Sequence, residues 1–277
     1  MNSFFWGNIL NIWIVFKKGR RACLIETSDY EFKEGYLALL FAFVEFYGVP
    51  LNSTSVAVVD PVANTIDTTS LTLTAGSTLT GTLKYMGGAL APNGKIYCVP
   101  RDARNVCIID PGNNTIDTTS VSLAAGSTFY TSSSFQGGVL APNGKIYCIP
   151  RNAKAIGIID PVANTFDTTS VVLATGSTLS GGTWSGGTLG MDGKIYGMPR
   201  GAGSILVIDP ATNLAYTGLV LPSSGSTFSS ASRFTCSCLA ENGKIYSPPY
   251  AETTVLEITP SFPALPPWML APEFNKF

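Results

Sequence analysis

The sequence contains no histidine. This removes the side chain whose ordinary pKa lies nearest neutrality. It excludes Ser-His-Asp and Cys-His nucleophiles, and zinc or iron sites built on imidazole. Charged residues are scarce at 13% of the chain, and they nearly cancel to a formal net charge of −1. Such a balance exerts no long-range pull on nucleic acid or an anionic membrane, so neither is an expected partner. The six cysteines, at 23, 98, 107, 148, 236 and 238, lack the regular pairing of a disulfide framework, which a chain of this size does not need. They read as reduced core residues, with Cys98 and Cys107 placed where one cross-hairpin bridge could form. Long apolar runs are missing too. Residues 3–16 are strongly apolar, but they are too short to span a bilayer, and their basic residues (Lys17, Lys18, Arg20, Arg21) follow them rather than precede them as in a secretory signal. Residues 36–49 are interrupted by Glu45 and read as a buried strand.

What the chain does have is repetition, with a period of about fifty residues. Two copies read GGALAPNGKIYCVPRDARNVCIIDPGNNTIDTTSVSL from Gly87 and GGVLAPNGKIYCIPRNAKAIGIIDPVANTFDTTSVVL from Gly137. Shorter matches start at Gly186 and Cys236, and a degenerate one, VEFYGVPLNSTSVAVVDP, ends at Pro61. Tyr47, Tyr97, Tyr147, Tyr196 and Tyr246 each stand thirteen positions before Asp60, Asp110, Asp160, Asp209 and Thr259. Within a copy, short apolar runs alternate with turn chemistry. The reading is four strands, at 138–141 (A), 145–150 (B), 155–160 (C) and 168–173 (D) in the Gly137 copy. Asn143-Gly144 is expected to form a two-residue hairpin with positive φ at both positions.

A single four-stranded sheet cannot bury both of its faces, so five in succession must stack on one another, and radial closure also protects their edges. The expected fold is all-β, a β-propeller of five blades with four antiparallel strands each. A solenoid of stacked β units is the other arrangement the pattern allows. The propeller would occupy residues 34–260. Residues 261–277 form a proline-rich tail that is a poor ladder donor. In the N-terminal segment, residues 1–33, positions 18–24 fall in the register of a strand D and could close the ring.

The order GGVLAPNGKIYCIP, AIGIIDPVANTF, TTSVVL resembles the YVTN and NHL class of propeller repeats. There a Pro-(Asp/Asn)-Gly hairpin precedes a strand containing Val-Tyr or Ile-Tyr, and an Ile-Asp-x-x-Thr-Asn turn follows. The D–A connection here is longer and richer in Ser and Thr. That class includes the virginiamycin B lyase family, whose activity depends on a catalytic histidine; with none in this chain, the resemblance implies the fold and not the reaction.

The B–C and D–A connections vary while the A–B hairpin stays constant, so the face they share is the candidate surface. It carries an aromatic at matching positions, Tyr85, Phe135, Trp184 and Phe234, which would either plug the gaps between blades or stack on sugars or bases. It also carries Arg101, Arg151 and Arg200, which would either hold a carboxylate or phosphate or pair with the recurring acids Asp60, Asp110, Asp160 and Asp209. Asp67, Asp117 and Asp167 come one per blade and do not converge as calcium ligands must; side-chain to backbone turn bonds at the start of strand D fit them better. No catalytic set, metal site or cofactor is indicated. The function expected is a non-catalytic binding or structural module in a larger extracellular or virion assembly, its variable face meeting a glycan, an anion or a partner protein. The alternative is a histidine-independent lyase or hydrolase acting on saccharides.

Overall fold

The turn residues that punctuate the repeat fix where each strand ends. In the computed structural model, which describes residues 14–16, 45–130, 132–179, 183–219 and 233–260, every regular element is a strand. The first sheet holds β1 (Ile14–Phe16), β2 (Phe46–Gly48), β3 (Val58–Asp60) and β4 (Thr65–Asp67) in that order. The chain then passes through β5 (Thr72–Leu73) to the second sheet: β6 (Tyr85–Leu90), β7 (Ile96–Pro100), β8 (Cys107–Asp110) and β9 (Thr115–Asp117). The third unit repeats this with β10 (Ser122–Leu123), β11 (Phe135–Leu140), β12 (Ile146–Pro150), β13 (Gly157–Asp160) and β14 (Thr165–Asp167). The fourth has β15 (Val172–Leu173), β16 (Trp184–Leu189), β17 (Ile195–Pro199), β18 (Ile205–Asp209) and β19 (Leu214–Leu219). The last sheet holds β20 (Cys238–Leu239), β21 (Ile245–Ser247) and β22 (Leu256–Ile258).

The five tyrosines fall in matching places. Tyr47, Tyr97, Tyr147, Tyr196 and Tyr246 oppose Val58, Ile108, Ile158, Val207 and Glu257 on the neighbouring antiparallel strand. The expected four-strand sheet is corrected in two respects. Strand D is Thr165–Asp167, directly after the turn, and not residues 168–173. The following pair, Val172–Leu173, leaves its own sheet and pairs in parallel with the outermost strand of the next, at Leu214 and Ala215. The same strap joins β5 to β9 and β10 to β14, so the three central sheets have five strands.

The Ser/Thr-rich connection holds each strap in place. Gly126 and Gly176 turn it with positive φ, after which Ser127 Oγ accepts from Thr168 N (2.9 Å) and Thr168 Oγ1 accepts from Thr128 N (3.1 Å). The exchange recurs between Ser77-Thr78 and Thr118, and between Ser177-Thr178 and Thr217. In the three central sheets the strap thereby covers the start of the outer strand D, shortening the edge left open to strand addition.

The A–B hairpin also differs from expectation. Gly144 N donates to Ala141 O (3.0 Å), Ala141 N donates to Lys145 O (2.9 Å), and only Gly144 has positive φ. This is a three-residue loop, a type I turn followed by a left-handed glycine, because Pro142 with its fixed φ is suited to the first central position. At the same end of the strands, Asp160 Oδ1 accepts from Val162 N and Ala163 N, each at 3.0 Å, and Asn164 sits at φ 51° to complete the turn.

Strands of the central sheets are buried on both faces, which is why they read as continuous apolar runs. Successive residues serve opposite interfaces. Ile96 and Cys98 pack toward Tyr47 and Val56 of the first sheet, whereas Tyr97 and Val99 pack toward Phe135 and Ile146 of the third. Two further cores join the third sheet to the fourth and the fourth to the last. The inner strands approach so closely that a Cβ on Gly137 would lie 2.9 Å from Gly186 Cα, and one on Gly87 would lie 2.7 Å from Gly137 Cα. Glycine is needed there for space as well as for its positive φ, +90° at Gly137.

β1 lies beside β2 and β6, so the innermost strand of the first sheet comes from the far N-terminus. Residues 18–24, expected to supply a strand D, lie outside the described residues, as do 36–44 and 261–277. Cys98 and Cys107 oppose one another across β7 and β8 as free thiols, and burial, with a hydrogen bond from the Cys98 thiol to Cys107, pushes the Cys98 thiol well up.

Candidate functional site

Backbone bonds relay around the rim formed by the B–C and D–A connections. Lys84 N donates to Leu51 O, Arg101 N to Lys84 O, Ser134 N to Arg101 O, and Arg151 N to Ser134 O, all at 2.8 Å. Arg200 N to Thr183 O (3.0 Å) and Arg233 N to Arg200 O (2.8 Å) continue the pattern. The relay fixes Arg101, Arg151 and Arg200 at one level on three successive sheets, each half-buried.

Their side chains come together. Arg151 Nη1 and Arg200 Nη1 both donate to Gln136 Oε1, at 3.2 and 3.4 Å, and Arg101 Nη2 donates to Ser133 Oγ at 2.9 Å. Burial lowers the pKa of Arg101, Asp102 raises it, and the like charge of Arg200 lowers it again, so guanidinium groups two sheets apart feel each other. The alternative reading, in which each arginine pairs with the acid of its own repeat, is not what the structure shows. Asp110 and Asp160 pair instead with Lys95 (3.2 Å) and Lys145 (3.1 Å) of the A–B hairpins. The reason is strand direction: Arg151 follows the end of β12, whereas Asp160 ends the antiparallel β13 beside the start of β12, about 20 Å away.

The aromatics are not presented to a ligand. Tyr85, Phe135, Trp184 and Phe234 are 0–2% exposed. They oppose the prolines that end the neighbouring strands, Pro100, Pro150, Pro199 and Pro249. Their polar tips are satisfied inside the protein, Trp184 Nε1 by Ser204 O at 2.8 Å and Tyr85 OH by Asn105 Oδ1. Phe135 meets Phe166 edge-on at 5.8 Å, and Phe129 stacks on Phe166 at 4.8 Å. These rings fill the space between sheets, so stacking on sugars or bases is corrected to core packing.

Sequence reasoning missed Gln136, which is completely buried between the arginines. Its signal was a polar residue in an inner strand at the position of Met86 and Ser185. Asp117 and Asp167 make the turn bonds foreseen for them, but at the end of strand D: Asp167 Oδ1 accepts from Thr169 N (2.6 Å) and Thr169 Oγ1 (2.8 Å). Among the described residues, no three Cys, Asp or Glu side chains gather as a metal site, and no helix is long and apolar enough to cross a membrane. Burial pushes the phenols of Tyr47, Tyr85, Tyr147 and Tyr196 up, which keeps them protonated and unsuited to act as bases.

No model of a known protein family matches the chain, and no curated protein sequence does. Solved structures do resemble it. A catalytically inactive variant of virginiamycin B lyase from Staphylococcus aureus with quinupristin has a TM-score of 0.53 at 13% identity, covering 77% of this chain and 65% of that one. A streptogramin B lyase gives 0.53 at 12% identity, covering 79% and 66%. The extracellular domain assigned to a hybrid two-component system of Bacteroides thetaiotaomicron gives 0.53 at 9% identity, covering 78% and 30%. The chain thus spans just under two thirds of these two lyase chains and a smaller share of the sensor domain. At such identities the likeness concerns architecture, and the stacked sheets of this chain have the fold of a β-propeller.

Proposed function

We propose that this chain is a five-bladed propeller of the YVTN and NHL repeat type, spanning residues 34–260, that serves as a non-catalytic binding or structural module. Residues 1–33 contribute to the ring and 261–277 form a tail. The binding surface is the rim of B–C and D–A connections, and the ligand is anionic: a glycan carrying acidic groups or the acidic face of a partner protein in a larger extracellular or virion assembly. The observation that carries this reading is the meeting of Arg151 and Arg200 on Gln136, with Arg101 on the adjoining sheet held by Ser133 and feeling the charge of Arg200, and with no ion pair to Arg101 or Arg200 within 4 Å among the described residues. Half-buried guanidinium forks gathered from successive sheets are suited to hold an external oxyanion.

The test compares wild type with a combined Arg101→Ala, Arg151→Ala, Arg200→Ala variant against acidic glycans and acidic peptides. Binding by wild type with loss in the variant is expected. Equal binding by the two proteins, or none by wild type, removes the rim as the binding surface.

A further inference from the structure

The rim holds more than charge. Three hydrogen-bonding atoms there are buried and lack a partner: Gln136 Nε2, Ser134 Oγ and Arg101 Nε. Two of them belong to side chains that are almost wholly enclosed, Gln136 at 0% and Ser134 at 2% exposure. The orientation of the Gln136 amide follows from its neighbours. Guanidinium groups only donate, so Oε1 must face Arg151 and Arg200, and the NH2 is left directed at something else. A buried amide NH2 without an acceptor is costly to maintain, and groups of this kind in a folded protein call for an explanation.

Arg101, Arg151 and Arg200 bring positive charge to the same place, where Asp102 acts on Arg101 and its carboxylate accepts from Ser133 N.

We propose that this cluster is the binding site for one tetrahedral oxyanion, the sulfate or phosphate group of an ester ligand, seated against Gln136 and Ser134 and held by Arg101, Arg151 and Arg200. The assignment rests on the reading of the rim as the binding surface and narrows its ligand. The donors approach from three successive sheets and therefore from three directions. A tetrahedral anion offers acceptor oxygens in at least three directions, while a carboxylate offers two in one plane and satisfies a single fork. The guanidinium groups supply the attraction, and the Gln136 amide and Ser134 hydroxyl, one buried level below, read the depth and shape of the anion.

Titration calorimetry with sodium sulfate, inorganic phosphate and sodium acetate tests this in wild type, Gln136→Glu and Arg200→Ala. Gln136→Glu keeps the shape but places a carboxylate among the arginines. Arg200→Ala removes a half-buried guanidinium group from the rim. Wild type is expected to bind sulfate or phosphate at one site, with acetate about tenfold weaker or more, and each variant is expected to lose about tenfold or more, as loss of a charge-assisted hydrogen bond implies. The ion bound more tightly near neutrality identifies the ester. As pH falls from neutrality inorganic phosphate takes up a proton and is expected to weaken while sulfate does not.

Binding of acetate as tight as that of sulfate and phosphate, or equal binding by wild type and both variants, overturns the proposal. If an acidic glycan or peptide binds in an arginine-dependent way and neither sulfate nor phosphate binds or competes, the oxyanion site is wrong while the rim stands. If wild type binds nothing in either experiment, both fail.

Discussion

Replacing Gly137 with alanine tests the close approach of the inner strands. The new Cβ would lie 2.9 Å from Gly186 Cα and 3.3 Å from Gly186 N, and both obstacles are backbone, which cannot swing aside as a side chain would. Two costs add. A non-glycine residue at this positive φ costs about 1–3 kcal/mol, and forcing atoms into a packed contact costs about 1–3 kcal/mol more. Gly144 provides the control, because it has φ +79° but nothing within 4 Å of its Cβ position. Gly144→Ala therefore carries the conformational cost alone, about 1–2 kcal/mol. Urea unfolding followed by the fluorescence of the buried Trp184 reads both variants. Gly137→Ala is expected to lose about 1–3 kcal/mol more than Gly144→Ala, with unchanged dependence on denaturant. Equal losses, within about 0.5 kcal/mol, would mean that the inner strands do not touch and that the sheets are set farther apart than described here.

Other outcomes follow from the straps, the thiols and the turn acids. Ser127→Ala strips the acceptor from Thr168 N (2.9 Å) at a nearly buried position, and should cost about 1–3 kcal/mol in the same unfolding assay. Among the described cysteines, exposed Cys238 should react first with an aromatic disulfide reagent, whereas Cys98, Cys107 and Cys148, buried and with the Cys98 and Cys148 thiols pushed up, should label only on unfolding; peptide mass spectrometry locates the adducts. Asp117 and Asp167 have lowered pKa values: burial acts to raise them, but hydrogen bonds from Thr119, Ser120 and Ser77, and from Ser170, Thr169 and Ser127, prevail. A folded value below the ordinary 3.8 means that their stabilisation is intact above that pH and disappears as pH falls through the lowered values. The urea midpoint should therefore hold between neutrality and about pH 5 and drop below about pH 4, with a smaller drop in an Asp117→Asn, Asp167→Asn variant. An identical drop in that variant would assign the acid sensitivity elsewhere.

The fold was legible because its signals are repeated. The Tyr97-to-Asp110 spacing recurs with the same cross-strand register in each sheet, and continuous apolar runs such as Ile96–Pro100 announce burial on both faces. The straps were hidden because two residues in parallel pairing, Val172 and Leu173, leave too short a pattern to separate from the strand before them. β1 was hidden because its sequence shares nothing with GGVLAP and it stands far from β2 along the chain. At the site, the arginines were visible as a series, but their true neighbours were not. Proximity along the chain suggested Asp160 for Arg151, and antiparallel strand direction separates them; Gln136 meets Arg200 across 64 positions of sequence. The aromatics were recognised by position, and only the packing of adjacent sheets decides that they face inward.

Because the outermost strand of each central sheet is borrowed from the repeat before it, the natural unit of this protein does not coincide with a sheet. A self-sufficient module would begin at the strap and run through the next strand D, for example residues 122–167, so that it carries its own fifth strand. Grafts or duplications cut between strand A and the strap before it would leave one sheet with a bare margin and a neighbour with a loose thread, whereas cuts in the Asp-Thr-Thr-Ser turn would keep every seam sewn.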